Sequence, residues 1–533
     1  MTALLRGGLL FAVAALLLAP TAAFGAVDPP MQLPGDAAAA SVRANRSNWI
    51  VGARPGGESR ALARAHDARR IGPAGTGGYV VARGEARAFA ADLRERGLLV
   101  YAQPDTLAKP LQAVPNDPLT VPPDDWRAPL ADPMLAPPAV TPTSPLIALV
   151  DSQLDPGHPE FAGGNTSTLP QLPVTNSHGT ATASVAAAPA NGIGILGVWP
   201  GARALNVPLP EEIACSNSAD QIGAAIAQGA AVINMSYGSQ SPCFPEFVAV
   251  ERAVERGIVP VAAAGNEFAE GNPLEFPASL PHVLTVAAVG RDGSSSFFSN
   301  ANAAIDLSAF GENIMTAVPP ALDADGVPDG YERQSGTSFA APMVAGAAAW
   351  VRAARPDLSG EQVAQAVRLS ATDLGRKGWD ADTGWGLLSV GAALTIAPPR
   401  RDPAEPNDDI MFVNGRVFDR SAALIYDGRR ARLVATLDTF EDPADVYRVR
   451  LRPHSRVRVS ADPARRDDVV LAAFPRKARN LDSRTIAASA HRGRRTERFT
   501  LRNRSSRRRT LYVAVAVQRG ARDLDATYEL RVG

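Results

Sequence analysis

Hydrophobic and polar positions along the chain predict a layered domain in its middle. Four continuous apolar runs occur at residues 146–150, 231–235, 258–263 and 283–287. Such runs, without polar alternation, are typical of strands buried on both faces of a parallel sheet. Helical segments lie among and after them, at 219–228, 246–255 and 361–370. The pattern predicts a three-layer α/β domain with a mainly parallel sheet over residues 146–398.

Shorter elements flank this domain on both sides. Before it, strands at 48–53, 79–82 and 98–102 alternate with helices at 58–70 and 85–96, which predicts an α+β unit with a ferredoxin-like core over about residues 47–105. Residues 111–145 are rich in proline and predict a linker or an extended N-terminal segment. After a boundary at 398–406, short alternating runs predict an antiparallel β-sandwich over residues 399–533.

The first residues indicate export. One positive charge at Arg6 precedes an apolar run, residues 9–18, and then a stretch of small residues. The run is too short to span a bilayer, so residues 1–26 are predicted to be a secretory signal peptide, removed near residues 23–26. We expect a secreted product, extracellular or in the periplasm or outer surface of a bacterium, with no membrane span.

Composition and cysteine usage fit this compartment. The formal net charge is zero, which argues against a nucleic-acid-binding protein, although residues 401–533 carry 29 basic against 18 acidic groups. The chain has two cysteines, Cys215 and Cys243, and an exported pair predicts a disulfide; two free buried thiols are the alternative. No Cys/His grouping has zinc-ligand spacing. We expect no required cofactor, with calcium possible as a structural ion.

Four short motifs place chemically useful side chains at strand ends or helix starts. Asp151 follows the first buried strand, and ligand and catalytic groups gather at that edge of α/β sheets. His178 and Ser338 each open an alanine-rich helical run, where unpaired N–H groups favour negative charge. Asn266 ends another buried strand. Each motif alone is common in turns and helix caps, so only the four motifs together indicate a functional site.

In the order Asp, His, Asn, Ser, these motifs resemble the subtilisin-like serine proteases, over about residues 146–397. The resemblance implies a secreted serine endopeptidase with Asp151, His178 and Ser338 as its catalytic triad and with the Asn266 amide as a donor to the oxyanion. It also implies two walls of a substrate pocket, formed by Ser236, Tyr237 and Gly238 and by Ala263, Ala264 and Gly265. Because both walls lack charged residues, an apolar or small residue is expected before the cleaved bond.

Some residues depart from the family pattern or leave alternatives open. Gln153 stands where the family usually has glycine, which puts the local turn geometry in doubt. Asp155, His158 and Pro159 match a family segment that is interpreted as structural. The acidic residues Asp323, Asp325 and Asp329 predict a hairpin turn, with a structural calcium ion as the alternative.

The flanking regions also resemble parts of secreted peptidases. Residues 27–110 resemble the inhibitory propeptide of this family, which implies a self-processing precursor whose own propeptide blocks the cleft. Residues 399–533 resemble the pre-peptidase-type β-sandwich appended to such enzymes; their basic surface is interpreted as solvated or as binding acidic polymers. We expect protein or peptide substrates and a monomer. The alternative function is that of a catalytically inactive binding or surface protein with the same fold.

Overall fold

The computed structural model describes residues 44–71, 78–106, 117–120, 125–130, 135–169, 172–418, 421–464, 467–518 and 525–533. It forms two compact units, Met1–Ala113 and Val114–Gly533. The predicted signal peptide, residues 1–26, lies outside the described residues, and so do parts of the predicted linker.

The first unit is a four-stranded antiparallel sheet with two helices. Its elements are β1 (Ala44–Ala53), α1 (Gly57–Ala65), β2 (Arg69–Ile71), β3 (Gly78–Ala82), α2 (Arg83–Glu95) and β4 (Leu99–Thr106). The strand order β2-β3-β1-β4 is that of a ferredoxin-like unit, with a core that includes Trp49 and Phe89. The predicted helix 58–70 is wrong at its end, because Asp67 adopts a left-handed conformation (φ 51°) and the chain turns into β2.

A seven-stranded parallel sheet forms the centre of the second unit. Its strands, in the order β11-β10-β9-β8-β5-β7-β6, are β5 (Leu146–Asp151), β6 (Asn165–Thr168), β7 (Arg203–Pro208), β8 (Val232–Met235), β9 (Val259–Ala263), β10 (Leu284–Val289) and β11 (Leu307–Phe310). Every residue of β5, β8, β9 and β10 is buried, so the interpretation of the apolar runs as central strands is confirmed.

Helices cover both faces of this sheet. One face packs against α4 (His178–Ala187), α7 (Thr337–Ala354), α8 (Gly360–Leu369) and α9 (Val390–Thr395); the short α3 (Arg127–Leu130) also joins this core. The other face packs against α5 (Cys215–Ala227) and α6 (Phe244–Glu255). The predicted three-layer arrangement is therefore confirmed. A disulfide between Cys215 and Cys243 joins the N-terminal ends of α5 and α6, as predicted.

A hairpin and a β-sandwich complete the unit. β12 (Ile314–Ala317) and β13 (Tyr331–Gln334) pair antiparallel around the acidic turn, and α10 (Ile410–Val413) leads into the sandwich. Its two sheets have the orders β14-β16-β21-β18-β19 and β15-β22-β17-β20. These strands are β14 (Leu424–Tyr426), β15 (Ala431–Asp438), β16 (Ala444–Leu451), β17 (Ser455–Pro463), β18 (Val469–Pro475), β19 (Ala487–Ser489), β20 (Glu497–Asn503), β21 (Arg509–Val517) and β22 (Asp525–Val532).

Within the described residues, no helix combines the length and the apolar character needed to cross a membrane.

Candidate active site

Asp151 is the last residue of β5 and is held on both of its carboxylate oxygens. Its Oδ1 accepts a hydrogen bond from His178 Nδ1 at 2.7 Å and another from the Ser152 amide at 2.7 Å. Its Oδ2 accepts one from the Thr182 hydroxyl at 2.9 Å. The side chain is only 3% exposed, so burial and these donors fix the carboxylate towards the imidazole.

His178 opens α4 in a setting that requires the glycine after it. A Cβ at Gly179 would lie 2.0 Å from the Ser152 carbonyl oxygen, so a larger residue would push the helix start away from β5. The Gly179 amide donates to Ser152 Oγ at 2.8 Å, and the His178 amide donates to Asn176 Oδ1 at 3.1 Å. The close approach of helix and strand is what brings the imidazole to Asp151.

Ser338 lies in the first turn of α7, and a proline four residues later shapes its surroundings. Pro342 has no N–H to donate to the Ser338 carbonyl, so the helical bond at this position is missing. The hydroxyl of Ser236, which follows β8, donates to that carbonyl instead, at 2.9 Å. This contact ties the Ser338 backbone to the edge of the central sheet.

The His178 ring packs against Phe339, the residue after Ser338, and no hydrogen bond joins the described side chains of Ser338 and His178. Ser338 Oγ donates to the Ser236 carbonyl at 3.4 Å, while the His178 ring packs 5.8 Å, centroid to centroid, from Phe339. His178 and Ser236 line one cavity of about 180 Å³, together with Asp151 and Tyr237. The predicted residues are thus gathered at one end of the sheet, with the Asp–His pair formed and the Ser–His bond not formed.

The Asn266 amide is oriented by the residue that precedes Ser338. Asn266 Oδ1 accepts hydrogen bonds from the Thr337 amide at 2.9 Å and from the Thr337 hydroxyl at 3.0 Å. The Thr337 hydroxyl in turn accepts one from the Gly265 amide at 3.2 Å. With its oxygen occupied, the amide presents Nδ2 as a donor at the exposed rim of the site.

The two predicted pocket walls lie on either side of a carboxylate, Glu275, that no sequence motif indicates. A Cβ at Gly238 would lie 2.8 Å from Glu275 Oε2, and a Cβ at Gly265 would lie 2.7 Å from Glu275 Cγ and 2.7 Å from Glu267 Oε2. Glu275 is buried, and no cationic side chain pairs with it among the described residues. A loop after Asn266 brings the Glu275 carboxylate between the two segments, so the apolar or small residue expected before the cleaved bond stays a prediction based on the walls alone.

Electrostatics distinguish the two titratable groups of the site. Burial opposes the protonation of His178, but the charge of Asp151 and the hydrogen bond to it raise the pKa of His178 above its usual value. Burial raises the pKa of the Glu275 carboxyl, and the neighbouring charge of Glu267 raises it further. The His178 imidazole therefore binds a proton more readily than a free imidazole, and a cationic neighbour would stabilise the charged form of Glu275.

The remaining sequence candidates have structural contacts. Gln153 is 3% exposed; its oxygen accepts from the Leu172 amide and its nitrogen donates to Thr168 Oγ1, so it builds the local turn from its side chain. His158 bridges the Gly330 carbonyl and the Glu160 amide. In the acidic hairpin turn, Asp323, Asp325 and Asp329 accept backbone hydrogen bonds from Gly330, Val327 and Tyr331, as in a simple turn.

A parallel α/β sheet whose edge carries an Asp–His pair beside a helix-start serine is the architecture of a serine-hydrolase-like protein. The profile of the Subtilase family matches residues 143–386. Subtilisin of Bacillus pumilus is 34% identical over 259 residues, which cover 46% of this chain and 90% of that protein. The chain therefore belongs to the subtilase family.

Other similar proteins match over comparable lengths. Subtilisin E of Bacillus subtilis (strain 168) is 34% identical over 259 residues, 46% of this chain, and the match spans 65% of its own length. The solved structure of the prenylagaramide maturation protease PagA is 29% identical with a TM-score of 0.42, over 47% of this chain and 92% of that chain.

Proposed function

We propose that the chain is a serine endopeptidase that cleaves peptide bonds through an acyl-enzyme on Ser338. The observation that carries the proposal is the 2.7 Å contact between His178 Nδ1 and Asp151 Oδ1. With Nδ1 donating to the carboxylate, a neutral imidazole keeps its lone pair on Nε2, where a hydroxyl proton can be accepted.

The reaction then follows from these roles. Ser338 Oγ attacks the peptide carbonyl carbon while His178 Nε2 takes its proton, and Asp151 stabilises the imidazolium. The same proton passes to the leaving amine as the carbon–nitrogen bond breaks and leaves an ester on Ser338. Water, deprotonated by His178, hydrolyses that ester and restores the serine.

Charge on the carbonyl oxygen requires donors that are in place before the reaction. Asn266 Nδ2 is presented by the contacts of its oxygen with Thr337, and the Ser338 amide lies at the start of α7. Loss of one such amide donor in subtilisin lowers kcat by about 10²–10³-fold. We expect Asn266→Ala to have an effect of this size.

Ser338 must turn towards His178 before it reacts. Its present contact with the Ser236 carbonyl is 3.4 Å long, beyond the usual range for a hydroxyl donor, so little is lost when the side chain rotates about its Cα–Cβ bond. Catalytic hydrogen bonds are often long without substrate and tighten when substrate binds.

The position of Glu275 changes the expected substrate preference. A carboxylate between Gly238 and Gly265 would meet the side chain of the residue before the cleaved bond. We therefore propose a basic residue, lysine or arginine, at that position in place of the apolar or small residue expected from the walls alone.

The domain organisation of the precursor is also a proposal. Residues 1–26 would direct export, residues 27–110 would act as an inhibitory propeptide, and residues 146–398 would form the peptidase domain after the linker 111–145. The βαββαβ order of the first unit supports the propeptide assignment. N-terminal sequencing and the intact mass of the exported protein test these boundaries.

Casein hydrolysis by matched serine variants tests the function. We expect Ser338→Ala to abolish hydrolysis and Ser335→Ala, an exposed neighbour, to retain it. If the wild-type chain is inactive while correctly folded, the alternative of an inactive binding or surface protein is favoured. Activity that peaks near about pH 4 and disappears by about pH 8 would instead favour an acid-acting relative with another base.

A further inference from the structure

A cluster of buried carboxylates lies where the peptidase domain meets the C-terminal domain. Five belong to the C-terminal side and are called the junction carboxylates here: Asp402, Glu405, Asp408, Asp442 and Asp445. His282 and Glu251 reach the same cluster from the peptidase domain. None of these seven residues has a role in the proposed peptide cleavage.

The junction carboxylates form two overlapping groups that share Glu405. One is Asp402, Glu405 and Asp445, and the other is Glu405, Asp408 and Asp442; within each group, one oxygen per residue lies within 4.8 Å of the others. Calcium binds oxygens at about 2.4 Å, so oxygens on opposite sides of the ion are about 4.8 Å apart. The spacing of both groups suits such an ion.

Most of these side chains use one oxygen for the protein and leave the other without a protein partner. Asp402 Oδ2 accepts from the Thr436 hydroxyl, and Asp408 Oδ2 lies 2.9 Å from His282 Nε2. Their Oδ1 atoms, together with Glu405 Oε1, Asn407 Oδ1 and Asp442 Oδ1, are buried and have no hydrogen-bond partner among the described residues. Asp402 and Asp408 are only 4% and 5% exposed, so these oxygens are well removed from bulk water.

Electrostatics make this arrangement costly without a cation. Within the described part of the chain, His282 is the one cationic side chain that pairs with any of the five, through Asp408 and Glu405. Desolvated carboxylates at this separation repel one another, and a buried charge needs a partner or a metal ion.

We propose that the junction carboxylates bind calcium, with His282 of the peptidase domain as an outer partner that orients Asp408 and Glu405. Hard oxygen ligands from carboxylates and an amide, without sulfur, fit calcium better than a transition metal. A hydrogen-bonded outer residue that fixes a ligand is a common device of metal sites. Because His282 also donates its backbone N–H to the Glu441 carbonyl at 2.9 Å, the ion would stabilise the contact between the two domains.

Calcium binding to full-length Ser338→Ala protein, which should not digest itself, provides the test. Two variants of this parent are compared with it. The junction pair adds Asp408→Asn and Asp442→Asn, and the control pair adds Asp427→Asn and Asp482→Asn in the same domain. Isothermal titration should show at least one calcium ion fewer in the junction pair only. The Tm of the parent and of the control pair should rise by about 5 °C in about 10 mM calcium. The Tm of the junction pair should show little of that increase.

Equal stoichiometry and equal stabilisation in all three proteins would overturn the proposal. If the junction pair fails to fold, terbium emission from the parent decides the question, since Tyr528 Oη donates to Asp445 Oδ2 at 2.5 Å and lies beside the site. We expect tyrosine-sensitised terbium emission that calcium displaces and that Tyr528→Phe weakens. Emission unaffected by Tyr528→Phe, or not displaced by calcium, would contradict the site. None of these readouts depends on peptide cleavage.

Discussion

Among single residues, Ser338, the proposed nucleophile, depends on a helical hydrogen bond that another element replaces. Pro342 removes the donor that would satisfy the Ser338 carbonyl, and Ser236 supplies one from a different element. Thr337, Phe339 and Ala340 around it are buried, so an unsatisfied acceptor there would be costly. The position of the proposed nucleophile is therefore set by a contact 102 residues away in sequence.

Loss of the Ser236 hydroxyl should destabilise the fold. We expect Ser236→Ala to lower the free energy of unfolding by about 1–3 kcal/mol in a Ser338→Ala background, measured by denaturant titration. In a Pro342→Ala background the new N–H can donate to the Ser338 carbonyl, so the same change should cost less. Equal costs in the two backgrounds would contradict the assigned contact.

The Asp151–His178 pair predicts the acidic limb of the pH profile. Catalysis needs a neutral imidazole, and Asp151 raises the pKa of His178, so kcat/KM should fall as the pH drops below that raised pKa. In Asp151→Asn the limb should move to lower pH, and kcat should fall by about 10⁴. The measurement is kcat/KM against pH with a peptide substrate; an unmoved limb would show that Asp151 does not set this pKa.

Glu275 predicts a charge preference that depends on one side chain. A charge-assisted hydrogen bond is worth about 1.5–3 kcal/mol, so Glu275→Gln should lower the ratio of kcat/KM for arginine over phenylalanine before the cleaved bond by about 10–100-fold. Glu270→Gln, on the exposed part of the same loop, should leave the ratio unchanged. A wild-type enzyme without a basic preference would refute the assignment while leaving the peptidase function intact.

The sequence located some of these residues and missed others for a physical reason. Asp151, His178 and Ser338 stand where a strand ends or a helix begins, and such positions follow from hydrophobic periodicity. Glu275 stands in a loop after Asn266, and no periodicity reports where a loop folds back. Its contact with Gly238 therefore became visible only in three dimensions.

At the scale of elements, continuous apolar runs predicted the central strands because their residues are buried on both faces. Helix ends were less predictable. The helix expected at 58–70 ends at Ala65, since pairing of Arg69–Ile71 with β3 prevails over local helix propensity. Tertiary pairing of this kind leaves no signal within the segment itself.

The disulfide between α5 and α6 should contribute measurably to stability. It closes a loop with a sequence separation of 28 residues, for which the chain-entropy model gives about 3.6 kcal/mol. We expect Cys215→Ser/Cys243→Ser, in the Ser338→Ala background, to lower the free energy of unfolding by about this amount in non-reducing buffer. Reductant should lower the free energy of unfolding of the parent and leave that of the double variant unchanged. A parent whose free energy of unfolding does not change with reductant would contradict this role.

Across the whole molecule, charge is unevenly distributed: the basic C-terminal sandwich carries acidic residues where it meets the peptidase domain. Residues 401–533 carry 29 basic and 18 acidic groups, yet the junction carboxylates concentrate buried negative charge against the peptidase domain. Asp402, Glu405 and Asp408 lie close together in the sequence, but Glu251 and His282 lie more than 100 residues before them. Their meeting depends on how the sandwich packs against α6, which no local pattern encodes.

Covalent labelling shows whether Ser338 is a nucleophile that His178 activates. The wild-type protein is treated with a fluorophosphonate, digested and analysed by mass spectrometry, alongside His178→Ala. We predict one adduct, on Ser338, whose formation parallels the loss of casein hydrolysis and which is nearly absent in His178→Ala. An active protein whose adduct lies on another residue, or whose Ser338 is labelled equally well without His178, would contradict the proposed activation of Ser338 by His178.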